Sequence, residues 1–369
     1  MTELRRQAVA LEVDGKAWSA WSSVAVSRSL EEAASSFQFE SFIRRAGDMV
    51  VRPGAAARVK VNGAVLLTGY VDSVQITGGR DGVTIAVAGR SRTCDLVDCM
   101  PDGLPRYHGQ TVRSIAAALA QTYGVDVVAD VDVGRPLASF AVQRGETVHE
   151  AIDRAAAARA LLVTDDAEGR LVLTRGAQTP TRVATLAEGV NIETWTVAHD
   201  ASARFSEYRL KGQRASSTDV SPELAAAVTG TATDTGSRTR ILVLPTEGRT
   251  DPDAARERAR WEMLTRYGRS LSVSVTVPGW ETPAGELWRV NTGVRVRIPS
   301  SLLTADLLIS AVSFEQSTGG STTTLTLQPP QAYAAYVPPR PRSGGLPRHA
   351  YFLDAADVDA AVKDARSYR

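Results

Sequence analysis

The first ninety residues alternate apolar and polar positions with the two-residue period of half-buried β-strands. Residues 58–61, for example, read Arg-Val-Lys-Val. Short turn sequences separate these runs, at Asp14-Gly15, at Asn62-Gly63 and over 77–82. Asp-Gly and Asn-Gly favour the positive φ angles of tight hairpins. Many short strands at this spacing predict a first antiparallel, barrel-like β-domain over residues 1–91.

The period then changes to that of helices. Apolar residues spaced by three and four predict a helix that begins at Thr111 and stops at Gly124. A second helix is predicted to begin at Thr147, where Glu150 completes a capping box. A hairpin with its turn over 165–169 follows. We therefore expect a small α/β insertion over residues 92–186.

Alternating strands return in residues 187–335, which we predict to form a second barrel-like β-domain. This domain contains an inserted loop and helix over about 216–269. Residues 215–236 are rich in Ser, Thr, Ala and Gly and predict a loose stretch. The helix after them is expected to have Asp251 as its cap, Pro252 in its first position and Gly268 at its end.

Residues 58–88 and 295–327 share one layout. Each has a strand of alternating basic and branched residues, a long apolar strand, a turn (Gly78-Gly79 or Gly319-Gly320) and a Thr-rich or Val-rich return strand. Hairpins resemble one another by construction, so the likeness has two interpretations: coincidence, or two related β-domains in one chain. Beyond them, residues 336–369 form a Pro-rich linker and a short polar helix, which we expect to order only by docking on a partner.

The charge is balanced, with 42 basic and 41 acidic side chains and a net charge of +1. That balance argues against a protein whose main partner is nucleic acid, because such binding rests on neutralising phosphates. The two cysteines, Cys94 and Cys99, are too few for a disulfide framework or a zinc site and indicate thiols in a reducing compartment. No stretch approaches the ~18 apolar residues of a membrane helix, and no secretory signal is recognised. We expect no membrane insertion.

The sequence offers no credible catalytic, metal or cofactor site. No phosphate-binding loop is present, and the four histidines show no metal-ligand spacing. Asp95 and Asp98 lie on one face if 94–99 is helical, where capping or ion pairing is expected rather than acid–base chemistry. The acidic residues at 165–168 are expected in a solvated turn. Five of the tryptophans fall in β-regions, where core packing is the expected role: Trp18, Trp21, Trp195, Trp280 and Trp288.

Residues 89–98 read Gly-Arg-Ser-Arg-Thr-Cys-Asp-Leu-Val-Asp. Together with the segments 69–74, 142–174 and 308–327, this string resembles the baseplate hub proteins of Mu-like contractile-tailed bacteriophages, the tail protein P family. The resemblance covers about residues 5–335. The string at 89–98 is its most specific part, and the other segments are looser. The family-motif positions to which we assign structural roles are Gly89, Arg90, Ser91, Thr93, Asp95, Leu96, Asp98, Gly319 and Gly320.

The resemblance implies a mainly β, α+β chain with two similar antiparallel β-barrel-like domains and small α/β insertions. Three such chains would form a homotrimeric ring of six quasi-equivalent barrels, which joins a six-fold tail tube protein to a three-fold central spike protein. DNA would pass through the bore as cargo only. The ring would assemble in the host bacterial cytoplasm and reside in the virion tail. Residues 336–369 lie outside the resemblance, and we separately expect them to contact other baseplate proteins. The resemblance implies no enzyme activity and no cofactor.

Two other functions stay open at this point. A carbohydrate-binding tail adhesin could be built on the Trp-bearing strands. A tail-associated peptidoglycan hydrolase could use Asp95 and Asp98, or another carboxylate pair. The resemblance does not indicate which residues form interfaces.

Overall fold

The computed structural model describes residues 7–43, 51–80, 82–213, 228–235, 238–249 and 252–334. The expected docking segment 336–369, the expected cap Asp251 and most of the expected loose stretch lie outside these residues. Among the described residues, no helix has both the length and the apolar character that a bilayer crossing requires.

The first seven strands form one half of a large sheet. These are β1 (Val9–Val13), β2 (Lys16–Trp18), β3 (Ser23–Ser29), β4 (Ser36–Ile43), β5 (Ala56–Val61), β6 (Ala64–Gly78) and β7 (Val83–Ser91). Their apolar positions alternate inward, as the period predicted; in β5 the buried residues are Ala57, Val59 and Val61. The turns at Asp14-Gly15 and Asn62-Gly63 have positive φ angles of 47–86° at all four residues, which confirms the expected hairpins.

A small α/β unit follows β7. It consists of α1 (Cys94–Asp98), β8 (Arg106–Gln110), α2 (Val112–Ala120), β9 (Val127–Ala129), β10 (Leu137–Ala141), α3 (Val148–Ala157), β11 (Leu162–Asp165) and β12 (Leu171–Thr174). Thr111 caps α2 by accepting a hydrogen bond from the Ser114 N–H, and Gly124 is left-handed beyond it. Thr147 and Glu150 form the expected capping box of α3. The two helices and their sheet enclose a separate apolar core that includes Leu96, Ile115 and Leu171.

The rest of the chain forms a second β-rich part. Its elements are β13 (Arg182–Ala187), β14 (Thr194–His199), β15 (Glu207–Gln213), β16 (Val228–Thr233), β17 (Ile241–Arg249), α4 (Pro252–Arg269), β18 (Leu271–Pro278), β19 (Gly293–Ile298), β20 (Leu303–Ser317) and β21 (Gly320–Gln328). Strand β13 falls in the segment expected to belong to the α/β insertion, yet it pairs with β19 of the large sheet. That pairing is parallel, and the connection between the two strands runs through residues 188–292, which include β14 to β18 and α4.

The expected loose stretch is wrong over 228–233, where β16 pairs with β15, and β15 pairs with β17 on its other side. Helix α4 covers this three-stranded sheet, and its Ala255 and Ala259 pack against Tyr208 and Leu210. Small residues in β16 make room for the helix: a Cβ on Gly230 would lie 2.1 Å from the Ala255 carbonyl carbon. A polar, Gly-containing strand of this kind carries no apolar period that a sequence could reveal.

Helix α4 starts at Pro252 as expected, but it runs through Gly268 to Arg269. Gly268 is therefore not the helix stop. A Cβ at this position would lie 2.2 Å from the backbone nitrogen of Ala332. The glycine allows the helix to pack closely against the short turn at 330–333.

The large sheet contains the same strand arrangement twice. One unit has the order β3-β4-β7-β6-β5-β1 and the other the order β14-β18-β21-β20-β19-β13. Antiparallel pairing of β20 with β3 joins the two units into one sheet with one apolar core. We call them unit 1 and unit 2.

The repeat extends to strand length and irregularity. Strands β5 and β19 have 6 residues, β6 and β20 have 15, and β7 and β21 have 9. One residue bulges from each long strand, Asp72 in β6 and Ser310 in β20, between positions paired with the next strand. A coincidence between generic hairpins does not require matching bulges, so the likeness of 58–88 to 295–327 reflects two related units.

Candidate functional site

Arg90 lies at the junction where β7 leaves unit 1 and enters the α/β insertion. Its guanidinium donates from Nε to Asp72 Oδ2 at 2.6 Å and from its two terminal nitrogens to Asp98 at 3.0 and 2.6 Å. Asp72 is the bulged residue of β6, and Asp98 ends α1. One arginine therefore connects a strand of unit 1 to the first helix of the insertion.

Contacts within this cluster shift the pKa values of its charged groups. The hydrogen bonds from Arg90 hold the pKa of the Asp98 carboxyl below its ordinary value, and the two carboxylates raise the pKa of Arg90. Burial, with the nearby Asp98, raises the pKa of Asp95. Both oxygens of Asp98 accept from Arg90, so the carboxylate is held in a two-bonded ion pair. This geometry favours the ion-pairing role over a hydrolase pair.

The neighbouring motif residues pack rather than react. A Cβ on Gly89 would lie 2.1 Å from the Tyr70 carbonyl oxygen and 2.4 Å from the Phe37 ring, so only glycine fits there. Ser91 and Thr93 are fully buried and share a hydrogen bond of 2.7 Å between their hydroxyls. Leu96 is fully buried in the core of the insertion.

Gly319 and Gly320 do not join this cluster. Gly319 lies in the turn between β20 and β21, and Gly320 is the first residue of β21, where it pairs with Ser317 and has a φ of 126°. The Gly319 N–H donates to the Ser317 hydroxyl at 3.2 Å. Their place in the fold is a hairpin turn of unit 2.

Asp165 is a structural residue that the sequence did not reveal. It was expected in a solvated turn, but it is the last residue of β11 and is buried. Its carboxylate accepts from the Ser35 N–H at 3.1 Å and from the Ser35 hydroxyl at 2.7 Å, and lies 3.7 Å from the Arg28 guanidinium. The turn itself begins one residue later, with Asp166 bonded to Arg170. Asp165 thus fastens the insertion to unit 1.

Asn291 fastens the other end of the insertion to unit 2. Its side-chain oxygen accepts from the Ala177 N–H at 2.8 Å, and its amide nitrogen donates to the Arg175 carbonyl at 2.9 Å. The residue has a φ of 65°, a conformation that asparagine tolerates better than most residues. Nothing in the local sequence pattern indicates a contact that spans more than a hundred residues.

Other candidate chemistry is accounted for by packing. Trp280 and Trp288 are buried, as expected for core residues, and Trp280 Nε1 donates to the Glu315 carbonyl at 2.9 Å. Trp21 and Trp195 are half-buried against the same core. Cys94 is buried, and burial raises the pKa of its thiol to about 12. Within the described ranges, no group of three or more His, Cys, Asp or Glu side chains is arranged to hold a metal ion.

The repeated β-units, the small insertions and the ion-paired junction define a mainly β structural protein of the kind used in assemblies. Three family models match the chain: "Mu phage baseplate assembly protein GpP-like, N-terminal" over 8–91, "Baseplate hub protein gp44-like, second domain" over 93–175, and "Mu phage baseplate assembly protein GpP, fourth domain" over 251–336. The baseplate hub protein gp44 of Escherichia phage Mu is 32% identical over 317 residues, which are 83% of each chain.

Two solved structures have the same fold as this chain. The 43 kDa tail protein of prophage MuSo2 from Shewanella oneidensis superimposes with a TM-score of 0.80 at 30% identity, over 89% of this chain and 99% of the other. A tail protein from Neisseria meningitidis MC58 has the same fold, with a TM-score of 0.75 at 23% identity over 89% and 100%. The chain belongs to the baseplate hub protein family of Mu-like phages, as its motifs indicated. It is a structural component of a phage tail baseplate.

Proposed function

We propose that three copies of this chain form the ring of the baseplate hub and adapt a six-fold tail tube to a three-fold central spike. The observation that carries the proposal is the internal repeat. Each chain contributes two six-stranded units with matched strand order, length and bulge. Three chains then supply six similar units, which match a six-fold neighbour on one side while the chain itself keeps three-fold symmetry.

The charge distribution suits a bore through which DNA passes without being held. The alternating basic strands place their charged side chains on the more exposed face, where two of them, Lys60 and Arg295, have acidic partners. Lys60 pairs with Glu12, and Arg295 and Arg182 both reach Asp306, at 2.6 and 2.7 Å. Tight binding to DNA would require uncompensated lysines and arginines.

The ring also has a proposed location and proposed contacts beyond the tube and the spike. We place the ring in the virion tail after assembly in the host cytoplasm, and we assign residues 336–369 to contacts with other baseplate proteins. We further propose that the hub has no hydrolase activity, because Asp98 serves as the ion-pair partner of Arg90 between unit 1 and the insertion. A peptidoglycan zymogram of the purified chain should show no clearing; clearing that disappears in Asp95→Ala would contradict this.

Light scattering of the purified chain tests the ring directly. The expected mass is that of three chains, in isolation or after addition of the spike protein from the same particle. A mass of one chain under both conditions would overturn the proposal.

A further inference from the structure

The second half of β6 has an open hydrogen-bonding edge. On one side, β6 pairs with β7 along residues 69–78; on the other, β5 pairs only with residues 64–70. Residues 73–78 therefore have no strand on that side among the described residues. Strand edges of this kind are sites where another strand can add.

The equivalent segment of β20 is not open. Strand β19 pairs with residues 303–308, as β5 does in unit 1, and β3 then continues on the same side along residues 311–316. The bulged residue of β6, Asp72, corresponds to the bulged residue of β20, Ser310. When these two residues are matched, and β7 is matched to β21, Ile76 takes the position of Phe314. Phe314 is fully buried and opposite Val26, with its ring 5.2 Å from that of Trp280. Ile76 is 62% exposed.

The strand equivalent to β3 is also open. In unit 2 that strand is β14, which pairs with β18 as β3 pairs with β4 and ends the sheet. By the same alignment, Trp195 and Val197 correspond to Val24 and Val26. The two valines of β3 are 4% and 1% exposed, whereas Trp195 and Val197 are only half-buried. Both open edges thus carry apolar side chains that are more exposed than the equivalent side chains at the β20–β3 pairing, where a neighbouring strand buries them.

We propose that residues 73–78 of β6 pair in antiparallel fashion with β14 of a second copy of this chain. The register of β20 on β3 sets the pairs: Gln75 opposite Ala198, Ile76 opposite Val197 and Gly78 opposite Trp195 of the neighbouring copy. Because Gly78 has no side chain, the indole of Trp195 opposite it has room. The inference rests on the proposed ring, for which it supplies the subunit contact.

Each copy has one β6 edge and one β14 edge, so the contact is head-to-tail. Such a contact closes into a ring when the rotation per copy fits. The junction between copies then repeats the junction between units 1 and 2 inside each chain. All six units would consequently be joined through equivalent strand pairs, which is the condition for six-fold matching by three chains.

Engineered cysteines test the register. Directly opposite residues in an antiparallel pair have Cα atoms about 4.5–5.5 Å apart, within disulfide range. Gln75→Cys with Ala198→Cys, in a full-length Cys99→Ser background, should form disulfide-linked oligomers up to a closed trimer in non-reducing gels after mild oxidation. The matched control is Gln75→Cys with Thr194→Cys, which moves the second thiol about 13 Å along the same exposed face of β14. The control should stay unlinked.

The outcomes separate this inference from the hub proposal. Three-chain mass by light scattering without links in the Ala198 variant would overturn the edge pairing and leave the ring standing. Equal linking of both cysteine pairs would overturn the register. A chain that is monomeric and unlinked would overturn both.

Discussion

Arg90 and Asp98 form a two-bonded ion pair that ties the end of β7 to helix α1, and the same guanidinium holds the bulged Asp72 of β6. The planar fork of arginine suits two carboxylates at once, which a lysine does not. The most specific part of the family string thus encodes a joint between a β-unit and its insertion.

Asp98→Asn should lower the free energy of unfolding at pH 7 by about 0.5–1.5 kcal/mol, after allowance for a half-exposed side chain. The pKa of Asp98 is lowered in the folded state, so the charged carboxylate stabilises the fold above its unfolded pKa near 4. The difference between wild type and variant should therefore shrink as the pH falls below about 4. Urea denaturation across pH 3–7 measures it; in an Arg90→Ala background the variant should show almost no pH-dependent difference, and an unchanged difference there would contradict the ion pair.

Gly89→Ala should destabilise the chain by about 2 kcal/mol or more, because the added Cβ meets a carbonyl oxygen and a buried ring that cannot both move away. Gly319→Ala is the matched control within the same motif set. Its nearest neighbour would be the Ser317 hydroxyl at 3.6 Å, an ordinary contact, so its midpoint in thermal or chemical denaturation should stay close to wild type. Equal effects of the two substitutions would refute the close-packing role of Gly89.

The two thiols should differ in reactivity. Cys94 is buried with a pKa of about 12, so almost none of it is thiolate at pH 7, whereas Cys99 is partly exposed. Titration with a disulfide reagent should detect one fast thiol in the native chain and two in guanidinium chloride. Cys99→Ser should abolish the fast reaction, and a native chain with two fast thiols would contradict the packing of Cys94.

Ile76→Glu should weaken self-association at least tenfold without unfolding the chain, because it places a charge opposite Val197 in the proposed strand pair. Met100→Glu is the control. Met100 is 60% exposed, close to the 62% of Ile76, but it lies in the α/β insertion and not on the β6 edge. Sedimentation over a concentration series compares the two. Similar weakening by both variants would count against the β6 edge as the contact.

The sequence revealed what depends on neighbours along the chain. The capped helices α2 and α3, the Asn62-Gly63 hairpin and the paired layout of 58–88 and 295–327 are written in local spacing. Contacts between distant segments could not be predicted from the sequence. The β20–β3 pairing and the hydrogen bonds of Asp165 and Asn291 join residues more than a hundred positions apart. The bulge that aims Asp72 at Arg90 depends on register against another strand, which no single-strand pattern encodes.

Projection images of the purified full chain in negative stain test the central claim most directly. We expect three-fold class averages in which six similar densities surround an open centre. Single chains, or closed oligomers without a bore and without three-fold symmetry, would contradict the hub ring.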